Sequence, residues 1–310
     1  MVTILREQIK AYVCLTLAMM IVGSSIVVGK LMVAQIPVFL ASGLRFAIAS
    51  VILIIILLLV EGKFPKLTIK DVGIICLQSF TGVFLFSICL LYGVQFTTAT
   101  ESGIITSLTL IVIAVLSLFI LKEKLTKRIV LSIALAVVGI AVINLINGDG
   151  EARGYFPLLG NVLIMLAVIG EALFTILGKL LSHKVSPLAI STFVTVIGFL
   201  LFLPLAIFEA VTFDFRQPGL LDWGYVLYFA VFVTVVAFYL WYSGVSKVSG
   251  SVSGVFTGVL PVSTILLSYV VLDEQLTWAH VIGVAFVLVG ITSISFANRK
   301  NKGTDVATIR

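Results

Sequence analysis

Arg45 and Glu171 lie deep inside apolar stretches of this chain, where a charge is costly. Arg45 is about eight residues, roughly 12 Å, into a run that begins near Pro37. A cation at that depth costs about 2.5 to 3.5 kcal/mol on insertion scales, so it must face a bundle interior or water. Two roles fit it: a fixed cation for the carboxylate or phosphate of a solute, or a donor to the helix-end carbonyls of a neighbouring segment. Glu171 is about sixteen residues into another apolar run. An intramembrane carboxylate suits proton carriage during exchange, while Lys179, on roughly the same helical face, offers an ion pair or lock instead.

Uncharged polar residues accompany these two. Gln78, Ser79 and Thr81 share one run, Thr106, Ser107 and Thr109 the next, with Thr175 near Glu171 and Ser263 and Thr264 near Pro261. Each alone fits helix-to-helix bonding as well as solute contact. Their concentration on the third, fourth and ninth runs places the lumen there. Tyr92, Tyr239, Trp241 and Tyr242 fit an interfacial belt or an inward aromatic cover. Lys30 and Glu101 stand near the ends of two runs, where an outer gate or, for Glu101, a helix cap is expected. Pro261 removes a backbone donor near mid-run, so a kink beside the path is expected.

Enzyme chemistry has little to stand on. His183 and His280 are at loop or helix-end positions, and no run holds a His/Asp pair or a metal-ligand cluster. Cys14, Cys76 and Cys89 lie inside runs without metal-ligand spacing and read as small core residues. No cofactor and no metal is expected.

The elements that must position these residues follow from composition. The chain is 61% hydrophobic and 11% charged with a mean hydropathy of +1.26, far from soluble domains, where about a quarter of residues are charged. Its apolar runs are about 20 residues or longer, the length that crosses roughly 30 Å of hydrocarbon as helix. We place ten spans near 9–30, 37–60, 70–94, 98–121, 127–147, 155–182, 187–208, 221–244, 248–272 and 278–297. They are apolar on all faces, unlike the alternating segments of a barrel, so the fold class is all-α. The basic start at Arg6 and Lys10 precedes a run too long for a signal peptide and reads as the first span.

Sixteen of the 20 Lys and Arg residues fall on one side of that arrangement, and only Lys30, Arg153 and Arg216 on the other. The bias predicts cytoplasmic termini at both ends. It also accounts for the +6 net charge, which therefore argues for no nucleic-acid partner.

The chain is also a duplication. Ser102 to Ile143 recurs 151 positions on as Ser253 to Ile294, with about 15 identities in roughly 42 positions and no gap. Ser102/Ser253, Gly103/Gly254, Thr106/Thr257, Glu123/Glu274, Thr126/Thr277 and Gly139/Gly290 are among them. Five spans per copy is an odd number, so the copies are inverted, which places a substrate site near the midplane between them. Residues 1–147 form the first repeat, 148–154 an external linker, 155–298 the second repeat and 299–310 a cytoplasmic tail. Two ladders at four-residue spacing, Ala99, Gly103, Ser107 and Gly250, Gly254, Gly258, are expected to pack helix against helix between the copies. Leu110 answers Pro261, and such unshared positions are where specificity is expected.

These features resemble the EamA-type carriers of the drug/metabolite transporter superfamily over nearly the whole chain. The resemblance rests on Gly23-Ser24-Ser25 and Gly29-Lys30 in the first span, Pro37 and Leu44-Arg45-Phe46 in the second, and Ala99 to Gly103 opening the fourth. It rests also on the Glu-x-Leu-Thr turns, on Gly139 and Gly290, and on Pro261. Val22 stands where the family often carries an aromatic residue. The resemblance implies a five-plus-five helix bundle that exports small metabolites, often amino acids or their analogues, across the inner membrane. With no ATPase motif in the chain, we expect a secondary transporter working by alternating access, not an enzyme. A lipid-headgroup flippase is the nearer rival and an intramembrane transferase the farther. The partners expected are a small metabolite and the lipid bilayer; the reading admits proton coupling and a homodimer.

Overall fold

The computed structural model describes residues 2–96, 105–106, 108–123, 126–146, 157–272, 278, 281–283, 285–286 and 288–289. In hydrocarbon every backbone polar group must be satisfied within the chain, and among the described residues the regular structure is helical throughout. α1 (Val2–Val33) and α2 (Val38–Glu61) are unbroken. The next span is composite: α3 (Ile69–Ser79), a π-helix, π1 (Phe80–Leu85), and α4 (Phe86–Phe96). α5 (Thr109–Ile120) and α6 (Lys127–Ile146) complete the first half.

In the second half α7 (Pro157–Leu181) and α8 (Pro187–Thr212) are unbroken. A second composite span follows: α9 (Leu220–Tyr228), π2 (Phe229–Val236) and α10 (Ala237–Val245). α11 (Gly250–Phe256) and α12 (Val259–Leu272) are separated by a turn at Thr257 and Gly258. Six stretches, Arg6–Val33, Val38–Glu61, Ile69–Leu90, Leu158–Leu181, Pro187–Thr212 and Leu220–Val245, are long and apolar enough to cross a membrane. Each overlaps one of the spans expected from sequence.

Local sequence sets the helix ends. Gly62 closes α2 in the left-handed region at φ 70°, its N–H donating to the Leu58 carbonyl at 3.0 Å. Thr68 and Asp71 form a capping box at the start of α3, and Lys184 pairs with buried Asp71 at 3.3 Å. Ser186 caps α8 with Pro187 at its first turn.

Small residues set the helix contacts. A Cβ on Gly43 of α2 would lie 2.4 Å from the Ala206 Cβ of α8. This pair is pinned at both ends: the Leu40 N–H donates to Glu209 Oε2 at 2.7 Å, and the Ser186 hydroxyl donates to Glu61. Each helix thus supplies a carboxylate near its C-terminus to its partner's N-terminus, so the two run antiparallel. Gly250 and Gly254 pack on α5 and the residue beyond it, against Ser117, Leu121 and Ile113. Two residues of the second ladder thus touch a helix of the other half. Ala99, Gly103 and Ser107 of the first ladder lie outside the described residues.

The π-helices were not legible in the sequence. Phe80 and Phe229 are 149 positions apart and Leu85 and Val236 are 151 apart, so π1 and π2 occupy the same place in the two copies. The turn before α12 is closed by a three-residue hydrogen bond, and a bond of the same type precedes α5. Leu108 N–H donates to Ile105 O at 3.0 Å just before α5, and Leu260 N–H donates to Thr257 O at 3.1 Å just before Pro261. The turn at Thr257 and Gly258 precedes Pro261. Pro261 occupies the first turn of α12, where a missing N–H forfeits no helix bond.

Candidate translocation site

A cavity of about 190 Å³ opens among α1, α2, π1, α4, α7, π2, α10 and the α11–α12 turn. Drug-sized pockets run from about 300 to 1,000 Å³, so this one suits a smaller solute. Arg45 and Glu171 are both on its wall.

The Arg45 guanidinium is built in by three neighbours. Its Nε donates to Thr234 Oγ1 at 2.9 Å, and its Cζ lies 4.4 Å from the Phe46 ring centroid and 5.5 Å from that of Phe229. Cation–π contact stabilises a guanidinium away from water while leaving its edge free. Its two terminal nitrogens make no hydrogen bond to a described residue. Glu171 accepts a hydrogen bond from Thr109 Oγ1 at 3.3 Å, and Thr175 beside it donates to the Glu171 carbonyl at 3.3 Å. Among the described residues Arg45 and Glu171 form no ion pair with each other or with a third residue. A cation and a carboxylate thus look onto one small space, each with bonding capacity left over.

Lys179 goes elsewhere. It is eight residues from Glu171, roughly 12 Å along the helix, too far for direct contact. Its buried ammonium donates to the carbonyls of Val245 and Ser246 at 2.9 and 3.3 Å. The competing reading of a Glu171–Lys179 pair thus finds no support in the geometry.

The wall is built of repeat mates. At an offset of 149, Val22 answers Glu171 and Ser25 answers Phe174; at 151, Phe86 answers Ala237 and Ser87 answers Phe238. All eight line the cavity. The cavity is therefore lined by corresponding positions of both halves. Mates differ in each of these pairs, so the space is lined asymmetrically: the second half supplies Phe174, Phe238 and Trp241, the first Ser25, Ser87 and Phe86.

Of the third, fourth and ninth runs expected to carry the lumen, the third lines the cavity with Gly82, Val83, Phe86 and Ser87 and the ninth with Thr257 and Leu260, beside residues of the first, second, sixth and eighth. Gln78 is fully buried behind the wall, donating to the Phe174 carbonyl at 2.7 Å and the Tyr242 hydroxyl at 2.9 Å. Ser79 donates to Ile75 O at 2.9 Å and lies against Val194. The Gln78 amide nitrogen joins helices, while its Oε1 accepts no bond from a described residue. The fourth run contributes Thr109 through Glu171, and half-buried Thr106 lies one turn before it. Thr257 lines the cavity at the helix break, and Ser263 donates to Leu260 O at 2.9 Å.

The aromatic residues divide between the two readings. Tyr92 and Tyr239 are exposed on the bundle surface, 40% and 46% accessible, whereas Trp241 and Tyr242 are buried. Cys89 is buried, but Cys76 is exposed, so the core reading fails for it because its helix turns that face outward. Gly258 is buried in the turn between α11 and α12. Glu101, Gly103, Ser107 and the side chains of Lys30 and Pro261 lie outside the described residues.

Sequence reasoning missed Thr234, which holds Arg45, and the Glu123 carboxylate, which reaches across to Gly250. The Glu123/Glu274 identity was the available signal for the second. For the first there was none, because its placement depends on π2.

The model of the EamA-like transporter family matches residues 9–145 and again 158–296, one match per half. The chain is 59% identical over 288 residues to a Bacillus subtilis (strain 168) protein named uncharacterized transporter YetK, covering 93% of this chain and 87% of that one. It is 26% identical over 253 residues to uncharacterized transporter YyaM of the same organism, covering 81% and 82%. A crystal structure shares the fold at a TM-score of 0.74 and 17% identity, over 94% of this chain and 98% of the other. With two family-matched halves around one cavity, the chain belongs to the EamA-like transporter family and is a multi-pass membrane protein.

Proposed function

We propose that this protein is a secondary active transporter that exports small metabolites, foremost amino acids or their analogues, across the cytoplasmic membrane by alternating access. On this reading ten helices form two inverted five-helix repeats with both termini cytoplasmic. One observation carries the substrate class: Arg45 and Glu171 face one small cavity between repeat mates without pairing. A zwitterion satisfies both, its carboxylate against the free edge of Arg45 and its ammonium against Glu171. Each buried charge then gains a partner, which offsets the desolvation that makes an unpaired charge so costly. Rocking of the copies about the Gly254 contact with Ile113 of α5 exposes the cavity to each side in turn.

Coupling follows from the same carboxylate. A solute ammonium and a proton compete for Glu171, so the site can return loaded with a proton after the solute has left. The site then never crosses as a bare anion.

Proteoliposomes carrying the purified protein, offered a panel of amino acids, nucleotides and lipids, test the reading. Saturable transport of zwitterions by the wild type, lost in both Arg45→Ala and Glu171→Gln, is the expected result. Transport surviving in both variants would remove these residues from the site. Movement of lipid with no movement of amino acids would favour the flippase.

A further inference from the structure

The turn between α10 and α11 is gripped at both ends by charge. Where α10 ends, the Lys179 ammonium donates to the Val245 and Ser246 carbonyls. Where α11 begins, the Glu123 carboxylate accepts from the N–H groups of Gly250 at 2.8 Å and Ser251 at 3.2 Å, and from the Ser251 hydroxyl at 3.2 Å. A cation at a helix C-terminus and an anion at a helix N-terminus both meet the favourable end of the helix dipole. Lys179, Gly250 and Ser251 belong to the second copy, but Glu123 belongs to the first. Its bonds therefore join the two bodies that alternating access must separate.

The clamp lies close to the cavity. Trp241, on its wall, is four residues before Val245, roughly 6 Å along the helix. The two segments that the clamp ties down also place Phe238 and Thr257 on that wall. Glu123 is moreover provided for when its partners leave. The Ser117 hydroxyl, from its own copy, donates to it, and the Glu123 N–H donates to Ser117 O at 3.2 Å. Lys122, at φ 54°, adopts the left-handed conformation that turns the chain back at this point. In sequence the device has a counterpart in the other copy: Ser117, Glu123 and the Ser251 hydroxyl answer Ser268, Glu274 and Thr100 at an offset of 151.

From this geometry we propose that Glu123 is a gating residue: its bonds to Gly250 and Ser251 close the cavity at the end bearing the basic turns and break in every transport cycle. This rests on the reading of the cavity as a transport site. A cap that only stabilises α11 is indifferent to being locked shut, whereas a gate is not.

The test introduces Glu123→Cys with Ser251→Cys into the full chain, with Cys14, Cys76 and Cys89 replaced by alanine, reconstituted in lipid vesicles. Bridging the pair with a short, reducible bis-methanethiosulfonate is expected to cut amino-acid exchange at least about tenfold, and reduction to restore it. Exchange undiminished by complete bridging overturns the gate. A second measurement needs no flux: spin labels at Lys122→Cys and Lys247→Cys, flanking the clamp, are expected to show two distances in lipid. Glu123→Gln is expected to raise the longer population; one distance, unmoved by that change, overturns the proposal. Two distances in a protein that moves no panel solute would support the gate and sink the transport reading alone.

Discussion

Arg45 is held by Thr234 through a hydroxyl that works in both directions. Thr234 Oγ1 accepts from Arg45 Nε at 2.9 Å and donates to the Phe229 carbonyl at 3.0 Å, five residues back. In an α-helix a threonine hydroxyl bonds back to the carbonyl four residues earlier. The wider turn of π2 shifts that bond by one residue and aims the hydroxyl at α2. Π-bulges recur at functional sites, and here the bulge sets the orientation of Arg45 on the cavity wall.

Thr234→Val should therefore leave Arg45 in place but loosely oriented. Interhelical hydrogen bonds in membranes are worth about 0.6 to 2 kcal/mol, so solute affinity should fall roughly three- to thirtyfold. Thr234→Ser should retain wild-type affinity. Equilibrium binding of a radiolabelled amino acid in detergent reads both.

Glu171→Gln removes the competition between proton and ammonium. Transport by the wild type should depend on the proton gradient, and the variant's residual flux should not. Counterflow measured with and without an imposed pH difference checks this. A variant that still responds to the gradient would place coupling elsewhere.

Gly254→Ala places a Cβ 2.8 Å from Ile113 Cγ2. Overpacking of this kind costs about 1 to 3 kcal/mol, so the apparent melting temperature should fall. Ile113→Ala in the same chain should recover part of the loss. Full additivity of the two changes would show that the glycine does not rely on that contact.

Glu209→Ala leaves the Leu40 N–H without its carboxylate partner at the start of α2. Lost caps cost typically about 1 kcal/mol, so stability should drop while exchange per folded molecule is unchanged. Thermal unfolding followed by intrinsic fluorescence, paired with a flux assay, separates these.

Orientation is checked by labelling. Arg216→Cys should react with a membrane-impermeant maleimide in intact cells, and Lys63→Cys only after permeabilisation, as the basic-residue bias requires. The reverse pattern would invert the topology and with it the direction of export.

The sequence carried the repeat and the two costly charges plainly, because hydrocarbon makes apolar length and buried charge conspicuous. Gln78 shows where that reading stops. A polar residue in a span is equally visible whether it faces a lumen or ties helices together, and only the position of Tyr242 and the Phe174 carbonyl decides. Pro261 shows the opposite error: the residue that seemed to cause a break sits in the turn after it. The π-helices left no trace, since Phe80–Leu85 and Phe229–Val236 are composed like any other apolar run.

The pairing of Val22 with Glu171, and of Ser25 with Phe174, has an evolutionary consequence. Duplication gave the ancestral gene two independent codons for each position lining the cavity, one per side. A substitution in one half can alter which solute is recognised while its twin keeps the older side chain, so solute preference can diverge one codon at a time. Related chains should thus differ in cargo most readily at these mismatched pairs.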